Sequence, residues 1–303
     1  MTKGKRKGTK MGKIALLTDS ACDLPLELEK KYPQIEILPF EITVGGQTYV
    51  ERRDFTFESY YDLLAKSTEI PKTSQITAVR FLERFCAYAD EGYSDLIYVS
   101  INRAGSGSND AARMAANMLC EERPGTAMRV HVVDSRTYSM AYGWHVCEAA
   151  RMLQSGADAP TLVAYLEDKF ARMEVMLSMY TLRYVKKSGR VSAAAAFAGE
   201  LLGLRPIIHM IDDKTATVAK VRGDTAVMPG LIAQAKKRMV EGSPYGVGGT
   251  DESNIKMLAK MCKAEFGRPP VATFLLGACV ATNTGPNAVA IVYEGEQRGF
   301  PSA

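Results

Sequence analysis

Histidine, paired cysteines and recognisable catalytic patterns are scarce in this chain. Its 303 residues include three histidines (His131, His145 and His209), far apart from one another, and six cysteines without a C-x-x-C pair. Scattered thiols in a chain of this length are typical of reduced, buried cysteines, which disfavours both a disulfide framework and a zinc site. The G-x-S-x-G pattern of an activated serine is missing too. We therefore expect no metal, no cofactor and no catalytic residue.

Long apolar runs and a basic surface are missing as well. No stretch approaches the roughly 20 apolar residues of a membrane span. The net charge is +4, and six Lys and Arg residues precede residue 14, so the rest of the chain is close to neutral and nucleic-acid binding is disfavoured. Residues 1–12 predict a disordered basic tail, with Met11 as a second candidate start. The apolar stretch of a signal peptide does not follow these charges, which favours a cytoplasmic protein.

The first clear element is an apolar run that ends in polar residues. With 47% hydrophobic and 24% charged residues, the composition is that of a globular protein. The run 14–17 leads into Thr18-Asp19-Ser20, which predicts an interior parallel strand opening into a crevice. Asp23 is suited to cap the next helix and Pro25 to its first turn. Since ligands bind outside the carboxyl ends of such strands, this segment predicts a site.

The remainder of the N-terminal half alternates strand patterns with helix patterns. Short β-rich runs stand at 95–101 and 130–135, and helical spacing stands at 77–91, 108–120 and 139–154. Such alternation predicts a parallel sheet with crossover helices. We expect a Rossmann-like parallel α/β domain over residues 13–157.

The order of predicted strands and helices changes after a break at residues 155–160. We expect a helix from Asp158 to about Met173, and an α+β domain over 158–303 with mostly antiparallel neighbours. The predicted strands are 174–180, 204–211, 217–221, 245–247, 271–280 and 288–293, and the further helices are 192–202, 225–240 and 252–265.

Two short polar segments are candidates for binding an anion. Thr73 and Ser74 precede a helix, where hydroxyl groups and the helix N-terminus suit a carboxylate or phosphate; an ordinary cap and turn explains the same residues. Thr282 and Asn283 follow an apolar strand, and the Asn283 amide offers both a donor and an acceptor. A plain Gly-Pro turn is the alternative there.

The loop of residues 100–108 lies between a predicted strand and a predicted helix and has the composition of an anion site. Ser106 and Ser108 supply hydroxyls, and two glycines permit close backbone approach. The loop is neither a P-loop nor a dinucleotide-binding turn, because the Gly-Lys-Ser/Thr end and the third glycine are missing. Arg103 is either a counter-ion for a carboxylate or a surface charge.

A group of basic side chains forms a candidate partner surface, namely Arg183, Lys186, Lys187, Arg190 and Arg205. Such a cluster suits an acidic partner or nucleotide phosphates, and a solvated helix end is the alternative. Taken together, the candidate residues are neutral hydrogen-bond donors and one arginine around an anion, without an evident base. This set describes a binding protein better than an enzyme.

In their order along the chain, the polar segments resemble the DegV family of bacterial fatty-acid-binding proteins. The resemblance extends from about residue 13 to 294 and is carried by Thr18-Asp19-Ser20 with Asp23-Leu24-Pro25, Thr73-Ser74-Gln75, Gly105-Ser106-Gly107-Ser108, Val133-Asp134-Ser135, Thr181-Leu182-Arg183-Tyr184 with Lys187-Ser188-Gly189-Arg190, Leu204-Arg205-Pro206-Ile207 and Thr282-Asn283-Thr284-Gly285-Pro286. It implies a DegV-like two-domain α/β fold that holds one long-chain fatty acid, with the tail in an apolar tunnel and the carboxylate at the domain interface. It also implies a partner, an ATP-dependent fatty acid kinase subunit that converts the presented acid into an acyl phosphate.

The family's carboxylate contacts correspond here to Thr73, the loop 102–108 and Asn283, and two positions depart from its pattern. The family commonly has histidine where this chain has Asn283, and its loop usually opens with Ser-Ser where this chain has Asn102 and Arg103. Arg103 is permanently charged and can hold a carboxylate through two hydrogen bonds. We therefore interpret it as a hypothetical replacement for the histidine.

Two other functions remain open at the level of the sequence. One is a sensor or regulator that binds an anionic ligand and signals through the basic residues 183–190. The other is a small acyl-group enzyme with Ser106 or Ser108 as nucleophile, which is weakened by the missing base. Lipid that co-purifies with the protein would favour the carrier over both.

Overall fold

The fold was analysed in a computed structural model that describes residues 12–190, 203–212 and 214–296, without the side chains of residues 186–188. The strands are β1 (Ile14–Asp19), β2 (Ile35–Leu38), β3 (Glu41–Val44), β4 (Gln47–Val50), β5 (Lys72–Ser74), β6 (Asp95–Ser100), β7 (Arg129–Asp134), β8 (Met173–Met179), β9 (Leu204–Ile211), β10 (Lys214–Arg222), β11 (Tyr245–Gly249), β12 (Ala272–Leu275) and β13 (Ala288–Glu294). The helices are α1 (Leu26–Lys31), α2 (Phe57–Lys66), α3 (Ala78–Asp90), α4 (Ser108–Glu122), α5 (Met140–Gln154), α6 (Ala159–Phe170), α7 (Arg183–Ser188), α8 (Val227–Lys236), α9 (Glu252–Phe266) and α10 (Ala278–Thr284). The predicted helix 192–202 lies outside the described residues.

The first sheet has the strand order β2-β1-β6-β7, and each neighbouring pair is parallel. Its central strand β6 is buried along its whole length, as an apolar strand covered on both faces should be. Helices α3, α4 and α5 lie within two residues of their predicted bounds. The predicted parallel α/β architecture of the N-terminal half is therefore confirmed.

The capping role expected for Asp23 is wrong. Helix α1 begins at Leu26, and Pro25 is its cap residue without a side-chain cap hydrogen bond. The Asp23 carboxylate is fully buried and accepts a hydrogen bond from Ser139 Oγ at the start of α5. The side chain points into the protein because a tertiary partner is available there, which local sequence does not reveal.

The second sheet is mixed and has the order β10-β9-β8-β13-β11-β12. Its neighbours are antiparallel as predicted, except that β11 and β12 are parallel. The predicted hairpin of β9 and β10 is present. The fold class is thus a parallel α/β unit combined with an α+β unit.

The prediction of one strand over residues 271–280 is wrong in its second half. Strand β12 ends at Leu275, and helix α10 begins at Ala278 and contains Thr282 and Asn283. The Cys279 backbone N–H in the first turn of α10 donates a hydrogen bond to Glu51 Oε1 at 2.9 Å. A carboxylate near a helix N-terminus is stabilising, and this one comes from a distant part of the chain.

A third, small antiparallel sheet of order β4-β3-β5 was not predicted. Its β3–β4 hairpin turns at Gly45 and Gly46, which have φ of 56° and 81°. Two glycines between short strands are a recognised hairpin signal, so this element could have been found from the sequence. The sheet and helix α2 pack against α10, which brings the segment 41–74 to the second sheet.

The core lies between the two large sheets. Apolar residues of the first sheet and helix α5 form one cluster with the inner face of the second sheet, whereas α8 and α9 cover its outer face. Helix α6 packs against α5 and β7 although it follows the predicted break. The division of the chain at residue 157 therefore stays a prediction.

Candidate functional site

A cavity of about 210 Å³ lies between the first sheet's carboxyl edge and the inner face of the second sheet. One end is apolar and is lined by Val175, Leu177, Met210, Phe274, Ala290 and Val292. The other end is polar and is lined by Thr73, Gln75, Ser106, Arg190 and Asn283. Such a mostly apolar cleft with a few convergent polar groups is the usual form of a small-molecule site.

Strand register explains the apolar end. Val292 is paired with Val175, and Ala290 with both Leu177 and Gly248. Residues paired across neighbouring strands point to the same face, so these side chains form adjacent rows on the inner face. The small side chain of Ala290 and the bare backbone of Gly248 leave space between larger neighbours.

The polar end is formed by four separate segments, one of which contributes Arg190. Thr73 stands on β5 and is half-buried, whereas its neighbour Ser74 is exposed, because successive side chains of a strand point to opposite faces. Ser106 Oγ donates to Ser108 Oγ at 3.1 Å just before α4. Asn283 Nδ2 donates to the Cys279 carbonyl at 2.8 Å. An amide nitrogen has two N–H groups, so one remains for a ligand.

Two glycines of the loop lie close to neighbouring side chains. A Cβ on Gly107 would overlap the Gln75 side-chain amide, and a Cβ on Gly105 would lie 2.6 Å from the Tyr138 hydroxyl. The loop backbone therefore approaches both side chains closely, as the two glycines in the sequence indicated.

The other predicted head-group residues do not line the cavity. Arg103 is exposed and forms an ion pair with Asp110 at 2.8 Å. Asn102 is buried, and its Nδ2 donates to the carbonyls of Arg136 at 3.2 Å and Asp212 at 3.1 Å. These two residues hold the loop in position, and neither faces the space in which a ligand carboxylate would lie.

Ser108 and Thr282 are buried in structural hydrogen bonds. Ser108 Oγ accepts from the Ile76 backbone N–H at 3.1 Å. Thr282 Oγ1 donates to the Ala278 carbonyl at 2.7 Å and also contacts the Tyr60 hydroxyl. The side-chain partners of Ser106 and Ser108 in the described residues include no base.

The predicted basic residues occupy different places. Arg190 lines the cavity, a position that the sequence analysis assigned only to a partner surface. Arg183 is exposed and donates to the Thr68 carbonyl at 2.9 Å, and Arg205 pairs with Asp224 at 2.9 Å. The side chains of Lys186 and Lys187 lie outside the described residues.

A wider polar hollow of about 710 Å³ adjoins the polar end of the cavity, and we call it the vestibule. The two share Thr73, Arg190 and Asn283, and Lys72 and Glu69 line the vestibule further out. A head group held at the shared residues would therefore be reachable from outside.

Three carboxyl groups near this site are fully buried: Asp19, Asp23 and Glu51. Burial raises the pKa of Asp19 to about 6 and that of Glu51 to about 7, and it raises the pKa of Asp23 well above its usual value. The cause is desolvation, which disfavours the charged form. The sequence motif pointed to Asp19 and Asp23 but gave no signal for Glu51.

These carboxyl groups are tied to residues that line the cavity. Ser139 lines it and donates to Asp23, and Cys279 lines it and donates its backbone N–H to Glu51. Ser139 and Asp23 have φ of 58° and 51°. Each such non-glycine conformation costs on the order of 1–3 kcal/mol and is typical of functional sites.

Among the described residues, no group of three or more His, Cys, Asp or Glu side chains is arranged to hold a metal ion. No helix in the described ranges combines the length and the apolarity that crossing a bilayer requires.

The sequence matches a family model described as "Uncharacterised protein, DegV family" over residues 13–296. A DegV domain-containing protein of Caldanaerobacter subterraneus is 27% identical over 287 residues, which are 94% of this chain and 99% of the relative. A DegV domain-containing protein of Clostridium perfringens is 28% identical over 286 residues, which are 93% of this chain and 99% of the relative.

Solved structures with the same fold include proteins described as binding fatty acids. The fatty acid binding DegV family protein of Streptococcus agalactiae superposes with a TM-score of 0.82 at 26% identity, covering 95% of this chain and 100% of that one. A DegV family protein of Thermus thermophilus, described by its fatty acid binding, superposes with a TM-score of 0.78 at 27% identity. The match covers 93% of this chain and 99% of that one.

Proposed function

The chain belongs to the DegV family, and from this premise we propose that it binds one long-chain fatty acid. The tail lies among the apolar residues of β8, β12 and β13, and the carboxylate lies at Thr73, Ser106 and Asn283. The observation that carries the proposal is the cavity itself, which joins an apolar floor to a rim of neutral hydrogen-bond donors and the charged Arg190. The fatty acid binding described for its structural relatives supports the same ligand.

The energetics of this site favour an acyl chain. Each buried CH₂ contributes about 0.8 kcal/mol, so a hexadecanoyl tail supplies on the order of 10 kcal/mol before ordering costs. Hydrogen bonds to a charged group contribute roughly 1.5–3 kcal/mol each. The tail therefore provides most of the affinity, and the polar residues fix the orientation of the head group.

We further propose that the bound acid is a substrate for a partner and not for this chain. An ATP-dependent fatty acid kinase would transfer the γ-phosphoryl group of ATP to a carboxylate oxygen, which yields an acyl phosphate and ADP. The vestibule gives access to the head group, and Arg183 and Arg205, two of the predicted partner residues that do not line the cavity, form the docking surface. A partner that uses ATP implies a cytoplasmic setting.

Ligand binding is tested by native mass spectrometry of the purified protein, followed by solvent extraction and titration of the delipidated protein with hexadecanoic acid. We expect one fatty acid per chain. Protein that carries no lipid and takes up none of the added acid would refute the proposal.

Presentation to a kinase is tested separately. The purified kinase subunit, ATP and loaded protein should give an acyl phosphate that hydroxylamine traps as a hydroxamate. We expect Arg183→Glu and Arg205→Glu to lower the rate while fatty acid affinity is retained, because the docking surface changes its charge. Lys260→Glu, on the exposed side of α9, is the matched control; an equal loss in the control would contradict the assigned surface.

A further inference from the structure

Phe274 on β12 lies between two hollows. It lines the apolar end of the ligand cavity and also a groove of about 490 Å³. The groove has both apolar and charged lining residues. The apolar ones include Leu24, Leu26, Phe55, Phe57 and Ile255, and the charged ones are Glu27, Arg52, Glu58, Glu252 and Lys256. Among the described residues, Phe274 alone belongs to both linings.

The position of the ring depends on the glycines of β11. Phe274 is paired in register with Gly248, and a Cβ on Gly248 would overlap the ring. A Cβ on Gly246 would lie 3.5 Å from the same ring. The ring therefore occupies the space that side chains of β11 would otherwise fill, and only 3% of Phe274 is exposed.

Without the ring, this space would continue the cavity. Gly248 is paired with Ala290, which lines the apolar end. Ala290, Gly248 and Phe274 thus form one row across the inner face of the sheet, with little side-chain volume until Phe274 is reached. The row ends at Phe274, which also lines the groove.

The cavity is too small for a long acyl chain while the ring stays in place. An apolar cavity of about 150 Å³ accommodates benzene, with six carbons. The volume of about 210 Å³ therefore suits a tail of on the order of eight to ten carbons. The groove adds more than twice that volume on the far side of Phe274.

We propose that Phe274 is a movable plug that determines how long an acyl tail the protein holds, and that the tail of a longer acid displaces the ring and enters the groove. The inference rests on the proposed fatty acid binding. Shorter acids bind with the ring in place, whereas longer acids bind at the expense of the ring's packing on Gly248.

Affinities for saturated acids from octanoic to octadecanoic acid test this plug in the delipidated full chain. We expect Phe274→Ala to raise the ratio of hexadecanoic to octanoic acid affinity at least tenfold over wild type, and Phe274→Leu to raise it less. Phe266→Leu is the matched control. The Phe266 ring packs against the Tyr245 ring on the outer face of the sheet, with 5.0 Å between the ring centroids. We expect the control to keep the wild-type ratio.

The location of the tail gives a second readout that needs no substitution. A hexadecanoic acid with a diazirine at its far end should crosslink to groove residues such as Phe57 and Ile255. Crosslinks confined to β8 and β13, or an unchanged affinity ratio in both Phe274 variants, would overturn the plug while fatty acid binding stands. A wild-type protein that binds no acid of any length would overturn the proposed function and the plug together.

Discussion

Arg136 forms an ion pair with Asp212 at 2.8 Å, and this contact joins the loop after β7 to the hairpin between β9 and β10. The Arg136 side chain is 9% exposed. Asn102 donates to the Asp212 carbonyl from the loop that carries Ser106. The polar end of the cavity is thus fixed to the second sheet by residues that do not touch the ligand space.

The first prediction concerns this ion pair. Arg136→Ala removes the Arg136 guanidinium from the partly buried Asp212 carboxylate, so we expect a loss of about 1–3 kcal/mol in the free energy of unfolding. Arg103→Ala breaks an exposed pair with Asp110 and should cost at most about 1 kcal/mol. Urea unfolding of both variants checks this, and equal losses would contradict it.

The second prediction concerns the head group. Thr73→Val keeps the shape of the side chain but removes the hydroxyl, so we expect fatty acid affinity to fall roughly tenfold, as for a lost hydrogen bond to a charged group. Ser74→Ala is the matched control, because Ser74 is the next residue of β5 and lies on its other face. Arg103→Ala should also leave the affinity unchanged. Titration of the three delipidated variants with fatty acid measures these affinities, and it shows which of the three side chains contributes to binding.

The third prediction adds a charge at the shared rim of cavity and vestibule. Asn283→Asp places a second carboxylate beside that of the ligand, and like charges at close range disfavour each other. We expect affinity to fall at pH 8 and to recover towards pH 5 as the pair takes up a proton. Asn283→Ala serves as the uncharged comparison, and a pH profile equal in the two variants would exclude a carboxylate at this position.

The fourth prediction concerns the buried Glu51. Its pKa is raised from 4.5 to about 7 by burial, so between these values the folded protein binds a proton that the unfolded chain releases. This contribution to stability is complete below about pH 4.5 and is lost as the pH rises through 7. Glu51→Gln removes the titration and keeps the shape.

We therefore expect the free energy of unfolding of wild type, minus that of Glu51→Gln, to fall between pH 5 and pH 8 by on the order of a few kcal/mol. Chemical unfolding at both pH values provides the measurement. If the free energy of unfolding changed equally with pH in the two proteins, Glu51 would be charged in the folded state over this range.

The sequence pattern predicted the structure correctly where a segment's conformation depends on residues close to it along the chain. The alternation of strands and helices up to residue 154 predicted the parallel sheet, and the polar segments predicted Thr73, Ser106 and Asn283, which line one cavity. The β3–β4 hairpin had a signal in Gly45 and Gly46 that was not used. Helix α10 had none, since its start depends on Glu51, 228 positions away from Cys279.

The sequence by itself determined the alternating elements, the family and the set of polar residues available to an anion, because these follow from residue types and their spacing along the chain. Only the tertiary structure decided that Arg190 and not Arg103 lines the cavity, that three carboxyl groups are fully buried, and that Phe274 lines both the cavity and the groove. The physical reason is that a side chain's direction, its burial and its partner depend on contacts between distant segments. Those contacts are chosen by packing, and the order of residues alone does not express them.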